Sequence, residues 1–311
     1  MWWNLDEVIV TENKELPLDW KALSPSGRVF VEIGFGSGEF LEYLAKTNPD
    51  VLVVGIEVSQ CYASKGARLA LAKGLGNIRI MHGDARFLLR HCFPPESVEH
   101  VFMNFPCPWP KTRHATRRVT VPIFADLLNY LLEPGGVFEL VTDVDWYAQE
   151  ASETISELGA LDADPVETNP VRGCVTKYER KWKAMGKDTW RLILRKNGKV
   201  VPERGGEEGW PMECDKETRK TAGDVLAALK DAAGCGVGGK GHWVFRDAFI
   251  SSDGIGIILV ITADEGFEHH FYLKVIPNHR GITIKVDSVG HPYRTPAMRA
   301  ALLHALDIAS K

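Results

Sequence analysis

Through the first part of the chain, short β-rich apolar runs alternate with segments of helical spacing. Arg28 to Ile33 (RVFVEI) is such a run, and Glu39 to Lys46, with apolar Phe40, Leu41 and Leu44, has the spacing of a helix. Val51 to Val58 (VLVVGIEV) is almost wholly apolar, as a strand buried on both faces requires. Further strands are predicted at Asn77–His82, Val98–Asn104, Val137–Val141 and Thr189–Leu194, with helices at Val121–Leu132 and Asp145–Leu158. A turn at Glu133-Pro-Gly-Gly136 precedes the Val137 strand, and polar Leu161–Gly173, with Pro165 and Pro170, is expected to be a mobile loop. Alternation of this kind predicts an α/β fold: an open, mostly parallel, Rossmann-like sheet with helices on both faces and ligands at the carboxyl ends of its strands.

Glu203 to Gly209 (ERGGEEG) reads as a linker, and the pattern changes beyond it. A helix over Thr218–Ala233 is expected, then a Gly-rich break at 234–241. Four strands follow, near His242–Ile250, Ile255–Thr262, His269–Ile276 and Ile282–Val286, and the closing helix runs over Pro296–Ala309. The expected division is a domain over residues 1–203 and a small α+β domain over 204–311.

The chemistry begins after the first strand. Gly34-Phe-Gly36-Ser-Gly38 lets backbone approach a ligand with no Cβ in the way, beside the free N–H groups of a helix start. Glu57 lies at the end of the next strand, about 20 residues on, where a carboxylate suits a ribose diol. Asp84 and Ala85 end the third strand, and Asp84 is placed to accept from an adenine amino group. Any one of these acids also reads as a plain helix cap. A Gly-x-Gly-x-Gly turn preceded by Glu32, without the dinucleotide spacing, favours S-adenosylmethionine over a nicotinamide cofactor.

Asn104 to Thr120 reads NFPCPWPKTRHATRRVT. Three prolines in five positions force a stiff loop at a strand end, where chemistry is usually mounted. Lys111, Arg113, His114, Arg117 and Arg118 follow with no acid among them, an arm suited to a phosphate backbone. Trp109 reads equally as a base-stacking ring or as a brace for the loop.

The 311 residues are 45% hydrophobic and 25% charged, ordinary for a globular protein, and the net charge is −4. A nucleic acid must therefore meet a local basic face. Arg172, Lys177, Arg180, Lys181, Lys183, Lys187, Arg191, Arg195, Lys196 and Lys199 stand against only Glu179 and Asp188 within their stretch, and supply one. Met1–Trp20 has neither a basic leader nor a long apolar run, so no signal peptide, no membrane association and a cytoplasmic location are expected. Six cysteines without a Cys-x-x-Cys pair, and adjacent His269 and His270 that point to opposite strand faces, with His279 and His291, predict no metal site.

With EIGFGSGEF, GIEVS, GDA, NFPCPWPKTRHATRR, TD and TKYERKW together, the chain resembles the bacterial tRNA (guanine-N7)-methyltransferase family over about Val29 to Leu194. The resemblance implies a class I methyltransferase fold, S-adenosylmethionine as cofactor and the variable-loop guanine at tRNA position 46 as substrate. The expected cofactor site comprises Glu32, Gly34, Gly36, Gly38, Glu57, Asp84, Ala85 and Asn104. The expected substrate contacts are Lys111, Asp143, Thr176, Lys177, Tyr178 and Glu179, with Arg113, His114, Arg117 and Arg118 against the RNA. The family's catalytic aspartate falls where this chain has Cys107, so Cys107 and Asp143 are the residues to weigh for catalysis. Two other functions stay open on the sequence: a catalytically weak tRNA-binding protein of the same fold, and a methyltransferase acting on an adenine amino group. A monomer or homodimer is expected.

Overall fold

The computed structural model describes residues 8–10, 17–110, 118, 121–157, 159–198, 213–236, 239, 241–264, 267–287 and 295–310. The chain divides into two compact units, Met1–Glu203 and Arg204–Lys311.

In the first unit the elements run β1 (Val29–Ile33), α1 (Glu39–Thr47), β2 (Leu52–Glu57), α2 (Gln60–Ala72), β3 (Ile78–His82), α3 (Ala85–Cys92), β4 (Val98–Asn104), α4 (Pro122–Leu131), β5 (Leu132–Thr142) and α5 (Asp145–Ser156). They continue with β6 (Leu161–Ala163), β7 (Glu167–Thr168), α6 (Lys177–Ala184) and β8 (Trp190–Lys196). The sheet order is β3-β2-β1-β4-β5-β8-β6, with β7 also on β8. Strands β1 to β5 are parallel, and β8 is antiparallel to β5. Every residue of β1 and β2 is buried, which is why these stretches read as continuous apolar runs. Helices α1 and α2 share a core with Phe30, Val53, Ile78 and Ile80 from β1 to β3, while α3, α4 and α5 pack in succession. Strand order reverses between β1 and β4, which puts the ligand crevice at their carboxyl ends.

Two local expectations change. The Glu133–Gly136 turn is an excursion inside β5: Val98 pairs with Leu132 and His100 with Val137, so the residues between loop out of register. The segment Leu161–Gly173 is not a free loop. Its β6 and β7 pair with β8, and the Arg172 side chain is 3% exposed.

Helix α4 ends against the sheet, and its last carbonyls need donors. Leu132 N donates to Leu128, Glu96 N to Tyr130 and Ser97 N to Leu131. Lys196, whose side chain is 0% exposed, donates through Nζ to the carbonyls of Asn129 at 2.7 Å and Leu132 at 2.8 Å, and to Glu96 Oε1 at 2.9 Å.

The second unit holds β9 (Glu213–Glu217), α7 (Ala222–Leu229), β10 (Ala233–Cys235), β11 (His242–Ile250), β12 (Gly256–Asp264), β13 (Phe267–Asn278), β14 (Gly281–Val286) and α8 (Pro296–Ser310). Its antiparallel sheet has the order β10-β11-β12-β13-β14-β9, and α7 and α8 share one core with it. The helix expected over Thr218–Ala233 is shorter, because a capping box between Thr221 and Asp224 starts it at Ala222 and Asp231 adopts positive φ beyond it. Gly234 belongs to β10, not to a break: the Trp243 ring lies against it, and a Cβ there would come within 2.5 Å of that ring. No helix among the described residues is long and apolar enough to cross a membrane.

Candidate active site

A cleft of ≈ 390 Å³ opens at the carboxyl ends of β1, β2 and β4. The glycine turn forms one wall. Gly34, Gly36 and Gly38 have φ of 71°, 52° and 82°, the left-handed region where a side chain is strained. A Cβ on Gly34 or Gly36 would meet nothing within 4 Å, so backbone conformation, not crowding, selects glycine there. Glu57 fastens the turn: its Oε2 accepts from Gly36 N at 3.0 Å and its Oε1 from Ser59 N at 2.9 Å. Between the glycines, Phe35 turns inward and is 5% exposed. Its ring fits only because Gly55 and Gly66 lie beneath it, where a Cβ would approach to 2.7 and 2.6 Å.

Glu32, at the end of β1, is 2% exposed and lines the cleft. Asn104 Nδ2 donates to its Oε1 at 3.3 Å, while its Oε2 has no hydrogen-bond partner among the described residues. Burial pushes the Glu32 carboxyl up to about 8, against the Asn104 hydrogen bond and the charge of Arg172, while Glu57 pushes it further up. An unpartnered buried carboxylate oxygen is costly unless a cationic or N–H donor reaches it.

Asp84 has a different place. Its Oδ1 accepts from Arg86 N at 2.8 Å, capping α3, and its carboxylate pairs with the Arg86 guanidinium at 2.6 Å. It and Ala85 lie outside the cleft lining, and so does Gly38, the N-cap of α1. For Asp84 the helix-cap reading describes the geometry. Asp143 follows β5 in a half-buried position and is likewise outside the lining.

The proline loop forms the rim opposite. Phe105 N donates to Val141 O at 2.7 Å, and Phe105 and Trp109 take φ of 51° and 43°. Pro106 and exposed Cys107 line the cleft. Lys111, Arg113, His114 and Arg117 lie outside the described residues. Arg118 is described, and it faces inward. Its guanidinium donates twice to Trp109 O at 3.3 Å, pairs with Glu150 and covers the Trp146 ring at 4.9 Å. Arg118 therefore braces the loop against α5 where an RNA contact was expected. An Arg118→Met variant is expected to lower kcat about 10- to 100-fold through a displaced loop, with the salt slope of RNA binding unchanged. A shallower slope would make Arg118 a phosphate contact after all.

Helix α6 closes the cleft. Thr176 Oγ1 accepts from Glu179 N and caps the helix, and Glu39 at the start of α1 accepts from Lys177 N at 2.6 Å and pairs with Arg180 at 2.9 Å. Exposed Lys177 and Tyr178 line the cleft. Thr176 lines the cleft as well, whereas Glu179 is 0% exposed and pairs with Arg172 and Lys183, so Glu179 shapes the helix start where a substrate contact was expected. The basic stretch around α6 is also less open than its composition suggests. Arg172 and Lys196 are buried, while Arg180, Arg191 and Arg195 pair with Glu39, Glu167 and Asp164, acids that the sequence window leaves out. Lys177, Lys181 and Lys187 stay exposed, the last two flanking the Trp182 ring.

The sequence singled out neither Phe35, Ser37, Ser59 and Tyr62 in the lining nor Trp146 beneath Arg118. In sequence they are marked only by place: Phe35 and Ser37 lie within the glycine turn, Ser59 and Tyr62 follow Glu57, and Trp146 follows Asp143. Among the described residues no group of three or more His, Cys, Asp or Glu is placed to hold a metal.

Comparison with known proteins decides the family. A family model described as "Putative methyltransferase" matches residues 26–192. The tRNA (guanine-N(7)-)-methyltransferase of Thermotoga maritima is 38% identical over 291 residues, covering 92% of this chain and 91% of that protein. The chain belongs to the tRNA (guanine-N7)-methyltransferase family. A family member from Thermus thermophilus is 31% identical over 286 residues, 90% of this chain and 88% of its own. The Cronobacter sakazakii tRNA (guanine-N(7)-)-methyltransferase is 36% identical over 192 residues, 60% of this chain and 80% of its own. Family members therefore differ in how much of this chain they match, from 92% to 60% among these three.

Proposed function

We propose that this chain transfers the methyl group of S-adenosylmethionine to N7 of a guanine in tRNA, at variable-loop position 46, by direct in-line transfer. Family membership carries the reaction class, and one observation ties it to the cleft: the buried Glu32 carboxylate with an unpartnered Oε2 beside the glycine turn. That oxygen fits the cationic amino group of the cofactor's methionyl end. Glu57, already holding the turn, keeps lone pairs for a ribose diol. When bound, S-adenosylmethionine supplies an electrophilic methyl on a sulfonium.

The chain's own residues then have positioning and electrostatic work. Guanine N7 carries an in-plane lone pair and no proton, so no side chain has to act as general base. Orientation of the two reactants and placement of charge carry the rate. Lys177 and Tyr178 on one rim, and Pro106 and Cys107 on the other, bracket the space for a splayed base. Asp143, at the end of β5, is the acid we assign to the developing positive charge on the purine. Exposed Lys177, Lys181 and Lys187 supply phosphate contacts beside the cleft. The enzyme works in the cytoplasm as a monomer or homodimer.

The test is transfer from labelled S-adenosylmethionine to unmodified tRNA, then nucleoside digestion. N7-methylguanosine is the expected product; N6-methyladenosine, or tight tRNA binding with no product, would reject the proposal. Because no general base is needed, Cys107→Asp is expected to change kcat by far less than the roughly 10²- to 10⁴-fold that such a base supplies. A gain in that range would mean that the loop had lost a carboxylate on which the reaction depends.

A further inference from the structure

Arg172, one cation of the basic stretch, has a buried side chain beside the cleft residues Asn104 and Phe40. Its Nη2 donates to Asn104 Oδ1 at 2.6 Å, and it also approaches Glu139 Oε1 at 3.4 Å. Its Nη1 reaches Glu179 Oε2 at 3.4 Å, and the guanidinium lies over the Phe40 ring at 4.9 Å. One buried side chain thus touches β4, β5, α1 and α6.

The guanidinium has donors only, so it fixes which way the Asn104 amide points. The amide oxygen faces Arg172, and Nδ2 is left to donate to Glu32. On its other side Arg172 holds Glu179, whose own N–H is bonded to the Thr176 cap. The first turn of α6, with Lys177 and Tyr178 on the cleft rim, is set by the same residue.

We infer that Arg172 is a positioning residue that joins the two halves of the site: through Asn104 it orients Glu32 for the cofactor, and through Glu179 it holds the α6 rim for the substrate. The inference rests on the proposed methyl transfer and deepens it. It also assigns Arg172 an electrostatic part. Glu32 is faced by Glu57 from β2, by neutral Asn104 from β4 and by Arg172. Around Arg172 stand Glu139 on β5 and Glu179 on α6, and Cys174 nearby is flanked by Glu39 of α1. Arg172 is the cation in this group that acts on Glu32, and it keeps Glu32 ionised at lower pH than burial alone would allow.

The experiment is calorimetric titration of S-adenosylmethionine into the full chain between pH 6 and pH 9, on wild type, Arg172→Lys and the double variant Arg172→Met with Glu179→Gln. The double change avoids leaving Glu179 as an unpaired buried charge, and circular dichroism checks that each protein is folded. In the double variant we expect cofactor affinity at neutral pH to fall about tenfold or more, and the pH of half-maximal binding to rise. Arg172→Lys retains the charge but not the planar fork. It is expected to keep the pH midpoint near that of wild type, while the KM for tRNA in the methyl-transfer assay rises in both variants. Folded variants with wild-type affinity and an unmoved midpoint would overturn the inference, and so would an affinity loss with no change in midpoint, which marks a purely structural role. Failure of wild type to bind S-adenosylmethionine would overturn the proposed function and this inference together, whereas wild-type turnover with indifferent variants overturns the inference alone.

Discussion

A Glu32→Gln variant is expected to melt higher than the parent protein at pH 8 and to bind S-adenosylmethionine at least ten times more weakly. Glu32 is 2% exposed, and its carboxyl is pushed from the ordinary 4.5 up to about 8. A folded-state value above the unfolded one means that the fold holds the proton more tightly than the unfolded chain does. The contribution favours folding below about pH 4.5, falls away as pH climbs towards 8, and is level above that. Glutamine is neutral throughout and does not follow this curve. It keeps an oxygen for Asn104 Nδ2, and the difference between the two proteins should grow across pH 4.5 to 8.

The affinity change runs the other way. A carboxylate-to-ammonium contact is charge-assisted, worth about 1.5–3 kcal/mol, which is roughly ten- to a hundredfold in affinity. Thermal unfolding at several pH values beside a calorimetric titration reads both effects. A variant that melts lower across the whole range would show that Glu32 is held as a stabilised anion, and the cost assigned to its burial would be wrong.

Lys196→Met is expected to cost about 2–4 kcal/mol of stability, because two buried carbonyls lose a charged donor at about 1–3 kcal/mol each, while Glu96 is left partly in water. Three acceptors converge on the Lys196 ammonium: the Asn129 and Leu132 carbonyls and Glu96 Oε1. Methionine fills most of the volume but leaves both carbonyls at the end of α4 without a donor. A cation there also opposes the negative end of the helix dipole. Urea unfolding checks the figure, and a loss under 1 kcal/mol would mean that water reaches these carbonyls. Because β5 starts where α4 ends and leads to Asp143, activity should fall before the fold is lost.

Much of the first unit was legible because its signals are local. A parallel strand covered on both faces is buried at every position, and β1 and β2 are, with Glu32 and Glu57 near their carboxyl ends as the acidic residues in otherwise apolar runs. The positive φ of Gly34 and Gly36 writes itself into the sequence as glycine. Glu57, at a strand end beside those glycines, could be placed from spacing alone. The helix in the second unit was misjudged because short apolar runs suit helix and strand alike, and only pairing with β11 settles that Ala233–Cys235 is a strand.

Charge is where the sequence stopped short. Composition showed a surplus of cations after Arg172, but an ion pair is decided by which acid lies near in space. The partners of Lys196, Arg180 and Arg118 are Glu96, Glu39 and Glu150, at sequence separations of 100, 141 and 32 residues. For the same reason Asp84 and Glu179, acids that a motif offers to a ligand, are engaged within the fold by Arg86 and Arg172. By itself the sequence determined the parallel sheet, the glycine turn and the edge of the sheet where chemistry would be mounted, since periodicity and backbone conformation are properties of neighbouring residues. Only the tertiary structure decided which charges face the cleft and which are spent holding it open, because burial and pairing depend on residues that the chain brings together from far apart.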